Sequence, residues 1–132
     1  MSPSDYKQNG FLLSTLLDQT IINRAESDVI VNYIQPICPD LNPLSPLYKK
    51  AVMTLAFYLM CKRNNIFMTR SGAKTKDNQF SEPDQEGWKT VNNLVLDCHY
   101  VLEELKNQEG AIENPKINDI ANIYFKSTYW AV

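Results

Sequence analysis

The sequence predicts an all-α fold: a small helical bundle with two long antiparallel helices, a long basic loop or hairpin between them, and a C-terminal arm. Three observations carry that prediction. Apolar residues recur at three-four spacing through two long stretches, 46–63 and 83–107. Four glycines are too few for a fold built on many tight turns. The chain has 132 residues, 44% of them apolar, which is enough to enclose one core but not two. We therefore expect a helical domain over 1–110 and an arm over 111–132.

Phe11, Leu12, Leu13, Leu16, Leu17, Ile21 and Ile22 predict a first helix over 11–22, closed by Asn23 and Arg24. Glu26 or Ser27 would open a second, striped by Val29, Ile30, Tyr33 and Ile34 and ended by Pro36 and Pro39. Residues 40–45 read as a loop. Ser45 is a good N-cap and Pro46 suits the first helical position, so the third helix begins there. Beyond Lys50 it is apolar on most faces, which marks the central core helix, and Lys62 and Arg63 complement the negative end of its dipole. Residues 64–82 have no helical period and read as a loop or a loose hairpin, with strands near 66–70 and 74–80 and Gly72 as a turn candidate. Ser81 is the N-cap candidate for the fourth helix, which Trp88, Val91, Leu94, Val95, Cys98, Val101, Leu102 and Leu105 stripe until Gly110 stops it.

Charge is distributed unevenly along the chain. Residues 41–76 carry seven bases and no acid, whereas 1–40 carry two bases against five acids and 77–132 four against ten. A net charge of −2 thus conceals a polarised molecule, suited to stacking against copies of itself or a charged neighbour. The basic loop supplies Lys62, Arg63, Arg70, Lys74 and Lys76 as candidate interaction residues. The arm supplies Tyr124, Phe125, Tyr129 and Trp130, more aromatic surface than a free tail leaves in water.

Signatures of catalysis are weak. His99 is the single histidine, and its neighbour Cys98 points a quarter-turn away on the same helix, so the two form no nucleophile–base pair. Cys38, Cys61 and Cys98 lack the spacing of a metal site or a disulfide framework and read as buried reduced thiols. Gly72-Ala73-Lys74-Thr75 lacks the first glycine of a phosphate-binding loop. Asp84, Glu86, Glu103 and Glu104 read as solvated helix surface. We expect no catalytic residues, no cofactor and no metal. The polar N-terminus has no signal-peptide pattern, and the eleven-residue apolar run from Ala51 to Cys61 is too short to span a bilayer, so a soluble protein with no membrane partner is expected.

Several stretches resemble the head–tail connector (adaptor, or head-completion) proteins of tailed bacteriophages, in the version found in phages and prophages of Bacteroidota. They are Ile21-Ile22-Asn23-Arg24, the aromatic-rich helix from Ala51 to Arg63, and Phe67-Met68-Thr69-Arg70-Ser71-Gly72-Ala73-Lys74 running into Phe80-Ser81-Glu82-Pro83. The resemblance covers roughly residues 15–106, in short motifs. The loop after Pro39 departs from it, lacking the family's usual glycine. It implies a non-enzymatic virion protein, made in the bacterial host cytoplasm, that forms a homo-oligomeric ring beneath the portal, twelve copies in most members. Such a ring extends the DNA channel and gives the tail its attachment surface. The partners implied are the portal protein, other neck or tail proteins and, non-specifically, packaged DNA. The alternative is a small helical phage-encoded protein that regulates or inhibits a host protein.

Overall fold

A computed structural model of the protein describes residues 1–11, 17–64, 66–69, 72–75 and 85–117. Its elements are α1 (Pro3–Gln8), α2 (Gln19–Val29), a π-helical turn (Ile30–Ile34), α3 (Gln35–Ile37), α4 (Pro46–Arg63), a hairpin of β1 (Ile66–Thr69) and β2 (Gly72–Thr75), and α5 (Gln85–Lys106). The fold is an all-α bundle with one two-stranded hairpin inserted between its two longest helices.

The central helix α4 is specified from both ends. The Ser45 hydroxyl accepts a hydrogen bond from the Tyr48 amide at 3.1 Å, and Pro46 occupies the first turn, where a missing N–H costs nothing. Lys62 and Arg63 fall in the last turn as expected. Between these ends Ala51 to Cys61 are buried without interruption, eleven residues covering every face of three turns. Neighbours must therefore close around α4 from all sides. α2 and the π-helical turn cover one side, α5 another, and β1 lies against both α4 and α5. Lys50 meets Glu104 and Thr54 meets Cys98, so α4 and α5 run antiparallel. The stripe on α5 faces inward at Leu94, Val95, Cys98, Val101, Leu102 and Leu105.

The first third of the chain differs from expectation. No helix end occurs at Asn23 and Arg24, and none begins at Glu26 or Ser27. Asp18 caps α2 by accepting from the Ile21 amide at 2.9 Å, and the helix runs unbroken through all four residues. Asn23 and Arg24 occupy its solvent face, and the Asn23 side chain accepts from Gln19 one turn earlier at 2.8 Å instead of competing for the backbone. Residues 12–16 of the expected first helix lie outside the described residues, while Phe11, Leu17 and Asp18 are not helical.

Pro36 does not end the helix either. The Gln35 amide bonds back to the Ile30 carbonyl, five residues earlier, and this widened turn delivers the chain to Pro36 at the start of α3. A proline needs relief there, because its ring crowds the carbonyl four residues back and its nitrogen cannot donate. The helical path then stops at Cys38, whose amide bonds the Ile34 carbonyl at 2.7 Å.

An unanticipated short helix, α1, precedes all of this. Ser2 and Asp5 form a reciprocal capping box and Pro3 fills the first turn. The Ser2 amide, then its hydroxyl, hold the exposed Asp5 carboxyl below its usual range. The helix serves to bury Tyr6, whose hydroxyl donates to Glu26 Oε2 at 2.6 Å. The Met1 amine donates to the other carboxylate oxygen at 2.7 Å. Glu26 is thus a buried charge on α2 with both oxygens engaged by the N-terminal segment. Phe11 stacks edge-on to Tyr6 at 5.7 Å and packs against Phe57 of α4 at 5.1 Å, carrying the same contact into the core.

Of the loop and the loose hairpin expected here the chain forms the hairpin, with its second strand earlier than anticipated. Ile66 pairs with Thr75 and Thr69 with Gly72, so Gly72 opens β2 and the connection is residues 70 and 71. Ser81 and the residues around it lie outside the described residues. α5 ends at Lys106 rather than at Gly110, which lies beyond it in a turn with φ +82°. The chain then returns to the bundle. The Ile112 amide donates to the Ile37 carbonyl at 2.8 Å, and Ile117 packs on the core.

Two substitutions test this packing. Val95→Asp places an unpaired charge where 1% of the side chain is accessible, and we expect a loss of more than about 4 kcal/mol, enough to abolish cooperative melting. Glu26→Ala strands the buried Tyr6 hydroxyl, so urea titration is expected to show about 2–4 kcal/mol of destabilisation. A change below half a kcal/mol would mean that the N-terminal segment is not anchored through Glu26.

Candidate interaction surfaces

Two of the four helical cations of the basic segment are neutralised within the molecule. Lys50 Nζ lies 3.1 Å from Glu104 Oε1, joining α4 to α5. Arg63 pairs with Asp28, joining α4 to α2. Both pairs are substantially exposed, so each contributes at most about 1 kcal/mol and acts mainly to fix register. Lys49 is exposed near the end of α1, where its charge reaches Asp5. Lys62 is half-buried. Lys74 is paired by register with Phe67 in the hairpin, while Arg70 and Lys76 lie outside the described residues.

Along the sequence the remaining bases Arg70, Lys74 and Lys76 fall in the hairpin segment, with Lys74 on β2. Its inner strand β1 is seated on α4 and α5, and β2 is carried on β1. No second strand pairs with β2 among the described residues. An edge strand with unpaired backbone donors and acceptors is a template for pairing with another chain.

Two concavities flank α4. The larger, about 420 Å³, opens beside its first two turns. Phe11 and Met53 line it, Leu44 and Pro46 form one lip, and Lys49 and Lys50 stand at the rim. Leu44 is 79% exposed, the most exposed large apolar residue among those described. A local turn holds it there: its amide donates to Asn42 Oδ1 at 2.9 Å. The smaller, about 290 Å³, lies between α2 and the end of α4, with Arg24 and Arg63 at its edge and Ile21 and Met60 beneath. Separately, Leu96 and Tyr100 are exposed one turn apart on α5. None of these surfaces was predicted from the sequence, because each is assembled from residues distant in the chain or from apolar residues indistinguishable by pattern from core.

Tyr124, Phe125, Tyr129 and Trp130 of the arm lie outside the described residues. Asp84 also lies outside them. Glu103 is exposed and approaches Lys106 Nζ at 3.6 Å, as expected for solvated surface.

The geometry offers little for catalysis. Cys98 is buried and its thiol points to the Thr54 carbonyl at 3.8 Å, while His99 is exposed, so the two diverge as their helical spacing requires. Cys38 is buried too. Burial pushes the thiols of Cys61 and Cys98 well above the ordinary cysteine range, for Cys98 with help from Asp97. Such thiols are poor nucleophiles and poor metal ligands. Among the described residues no group of three or more His, Cys, Asp or Glu side chains is placed to hold a metal. No described helix is long and apolar enough to cross a membrane.

No family model, curated protein or solved structure matches the chain.

The buried groups determine how stability responds to alkali. Burial, then the bond to Glu26, holds the Tyr6 hydroxyl protonated far above its ordinary value of 10.0, and both thiols are held above 9.0. All three folded pKa values are raised, so their contribution is complete below about pH 8 and is lost, for the thiols first, as the unfolded chain begins to release protons that the folded chain keeps. Above pH 10 the expected slope is about 1.4 kcal/mol per pH unit for each group, or about 4 kcal/mol together. Urea melts from pH 8 to 11 measure it. Tyr6→Phe should make the fall visibly shallower.

Proposed function

We propose that this protein is a structural, non-enzymatic subunit that self-assembles into a ring of the head–tail connector of a tailed bacteriophage virion. In that place it contacts the portal protein beneath the capsid vertex and continues the DNA channel toward the tail. The observation that carries this reading is the hairpin inserted between two antiparallel helices, with β1 against the bundle and no further strand on β2 among the described residues, in a stretch of sequence that is basic throughout. An edge strand can add to a strand of the next copy, and its cations can meet either the acidic 77–132 segment of that copy or DNA phosphate.

Three further features support it. The resemblance to connector proteins extends through the hairpin segment. The middle of α4, Ala51 to Cys61, is buried on all sides within one subunit, as suits a building block. The uneven charge of the sequence, seven bases and no acid over 41–76 against ten acids over 77–132, suits a contact between unlike surfaces of neighbouring copies.

Reversing Arg70, Lys74 and Lys76 to Glu is the direct test. The variant should melt within a few degrees of the parent, since arginine and lysine side chains are rarely part of a core. Yet it should fail to enter particles when supplied in place of the wild-type protein during phage assembly, lowering the yield of tailed particles at least tenfold. Normal incorporation would reduce the hairpin to passive surface. A wild-type chain that stays monomeric with and without portal, but retains a host protein, would instead favour the regulator reading.

A further inference from the structure

The groove beside the first two turns of α4 is shaped for an aromatic peptide segment. Its apolar surface comes from Phe11, Leu44, Pro46 and Met53, and its two cations, Lys49 and Lys50, stand at one rim. At about 420 Å³ it is at the small end of the roughly 300–1,000 Å³ range of ligand sites, so it accommodates one or two large side chains and not an extended cofactor. Nothing in a self-contained bundle requires a leucine at 79% exposure on its lip. Lys50 is held in place by Glu104, which fixes its ammonium at the rim where it can lie over an aromatic face.

The chain itself provides a matching ligand. Beyond Ile117 run fifteen residues, among them Tyr124, Phe125, Tyr129 and Trp130, with one acid and one base. The described chain leading to them is held near the groove: Ile112 is bonded to Ile37 at the end of α3, nine residues before Pro46, and the last turns of α5 reach Lys50, which lines the groove, through Glu104. Fifteen residues extend up to about 50 Å, enough to reach the same groove on an adjoining copy.

We infer that the groove formed by Phe11, Leu44, Pro46 and Met53 receives the aromatic C-terminal segment, residues 118–132, of a second copy of this chain. The contact joins two different surfaces, a groove on one copy and a tail on the next, so it is head-to-tail and propagates around a closed ring. It rests on the self-assembly proposed above and adds to it the receiving site. Trp130 or Tyr129 provides the buried anchor, as large aromatics do at the centres of interfaces.

Mixing two full-length variants tests the inference. Leu44→Asp spoils the groove but keeps the tail, and Trp130→Ala together with Tyr129→Ala spoils the tail but keeps the groove. Leu44 is exposed, so its variant should melt as the parent does, and Lys49→Glu provides a second groove variant should that fail. Sedimentation velocity of the wild type should show assemblies larger than dimers, and each variant alone should be monomeric. An equimolar mixture should give a dimer and stop there, because one intact groove meets one intact tail and neither product can continue. Three other results overturn the inference in distinguishable ways. Variants that assemble like the wild type place the interface elsewhere and leave the ring reading standing. Variants that stay monomeric when mixed mean that the tail occupies its own groove. A wild-type chain that remains monomeric with and without portal removes self-assembly and the groove contact together.

Discussion

The structure depends on one constraint: α4 has no face to give to water. Eleven successive residues of this helix, Ala51 to Cys61, are buried, and each large apolar side chain among them contributes about 1.5–3 kcal/mol that is lost wherever a cover is removed. Surface ion pairs such as Arg63–Asp28 and Lys50–Glu104 contribute a fraction of that. The remaining elements are best understood as covers. α2 with the π turn, α5 with its apolar stripe, and β1 each close a side, and the N-terminal segment places Phe11 against Phe57. The ion pairs then fix how the covers align.

A buried carboxylate is an unexpected component of such a core, and its geometry accounts for it. Glu26 would be costly if left alone, but one oxygen takes the Tyr6 hydroxyl and the other the Met1 amine. A six-residue helix is too short to be stable by itself. The hydrogen bond to Glu26, the burial of Tyr6 and the capping box at Ser2 and Asp5 together fold a polar-looking N-terminus onto the bundle. The same arrangement makes Tyr6 resist ionisation, as burial on α4 and α5 does for Cys61 and Cys98, linking core packing to behaviour in alkali.

How far the fold was legible in the sequence depended on how local the determining interaction is. Ser45-Pro46 and the run after Lys50 fixed both ends of α4, because a cap and a dipole act within one turn. The stripe on α5 was equally plain. Asn23 and Arg24 misled, since polar residues on the exposed side of a helix have the same composition as a break. Pro36 misled for another reason, because a π turn, which no propensity signals, absorbs it. α1 could have been found from Ser2-Pro3 and Asp5, the capping-box spacing, although nothing in that stretch reveals that its tyrosine meets Glu26. Among interaction surfaces, the basic hairpin and the aromatic tail were visible as composition. The internal pairing of Lys50 and Arg63 was not, and it moves the weight of the charge argument from the helix to the hairpin. The groove was invisible too, since Phe11, Leu44 and Met53 share no local pattern.

The position of these surfaces along α4 has a consequence for assembly. The groove lies on the first two turns of the helix, and β1 begins three residues after its last. An eighteen-residue helix is about 27 Å long, so groove and hairpin are held near opposite ends of a rod whose middle, Ala51 to Cys61, is packed on every side. A rod of this kind cannot bend or rotate without opening the core, so the distance and angle between its two ends are set by the subunit and not by its neighbours. Closed rings require that property. Each copy must present its donor and acceptor surfaces at one fixed relation, or the rotation from copy to copy drifts and the assembly becomes an open helix. Concentrating the core on α4 thus provides, besides stability, the stiffness that a repeating head-to-tail contact needs.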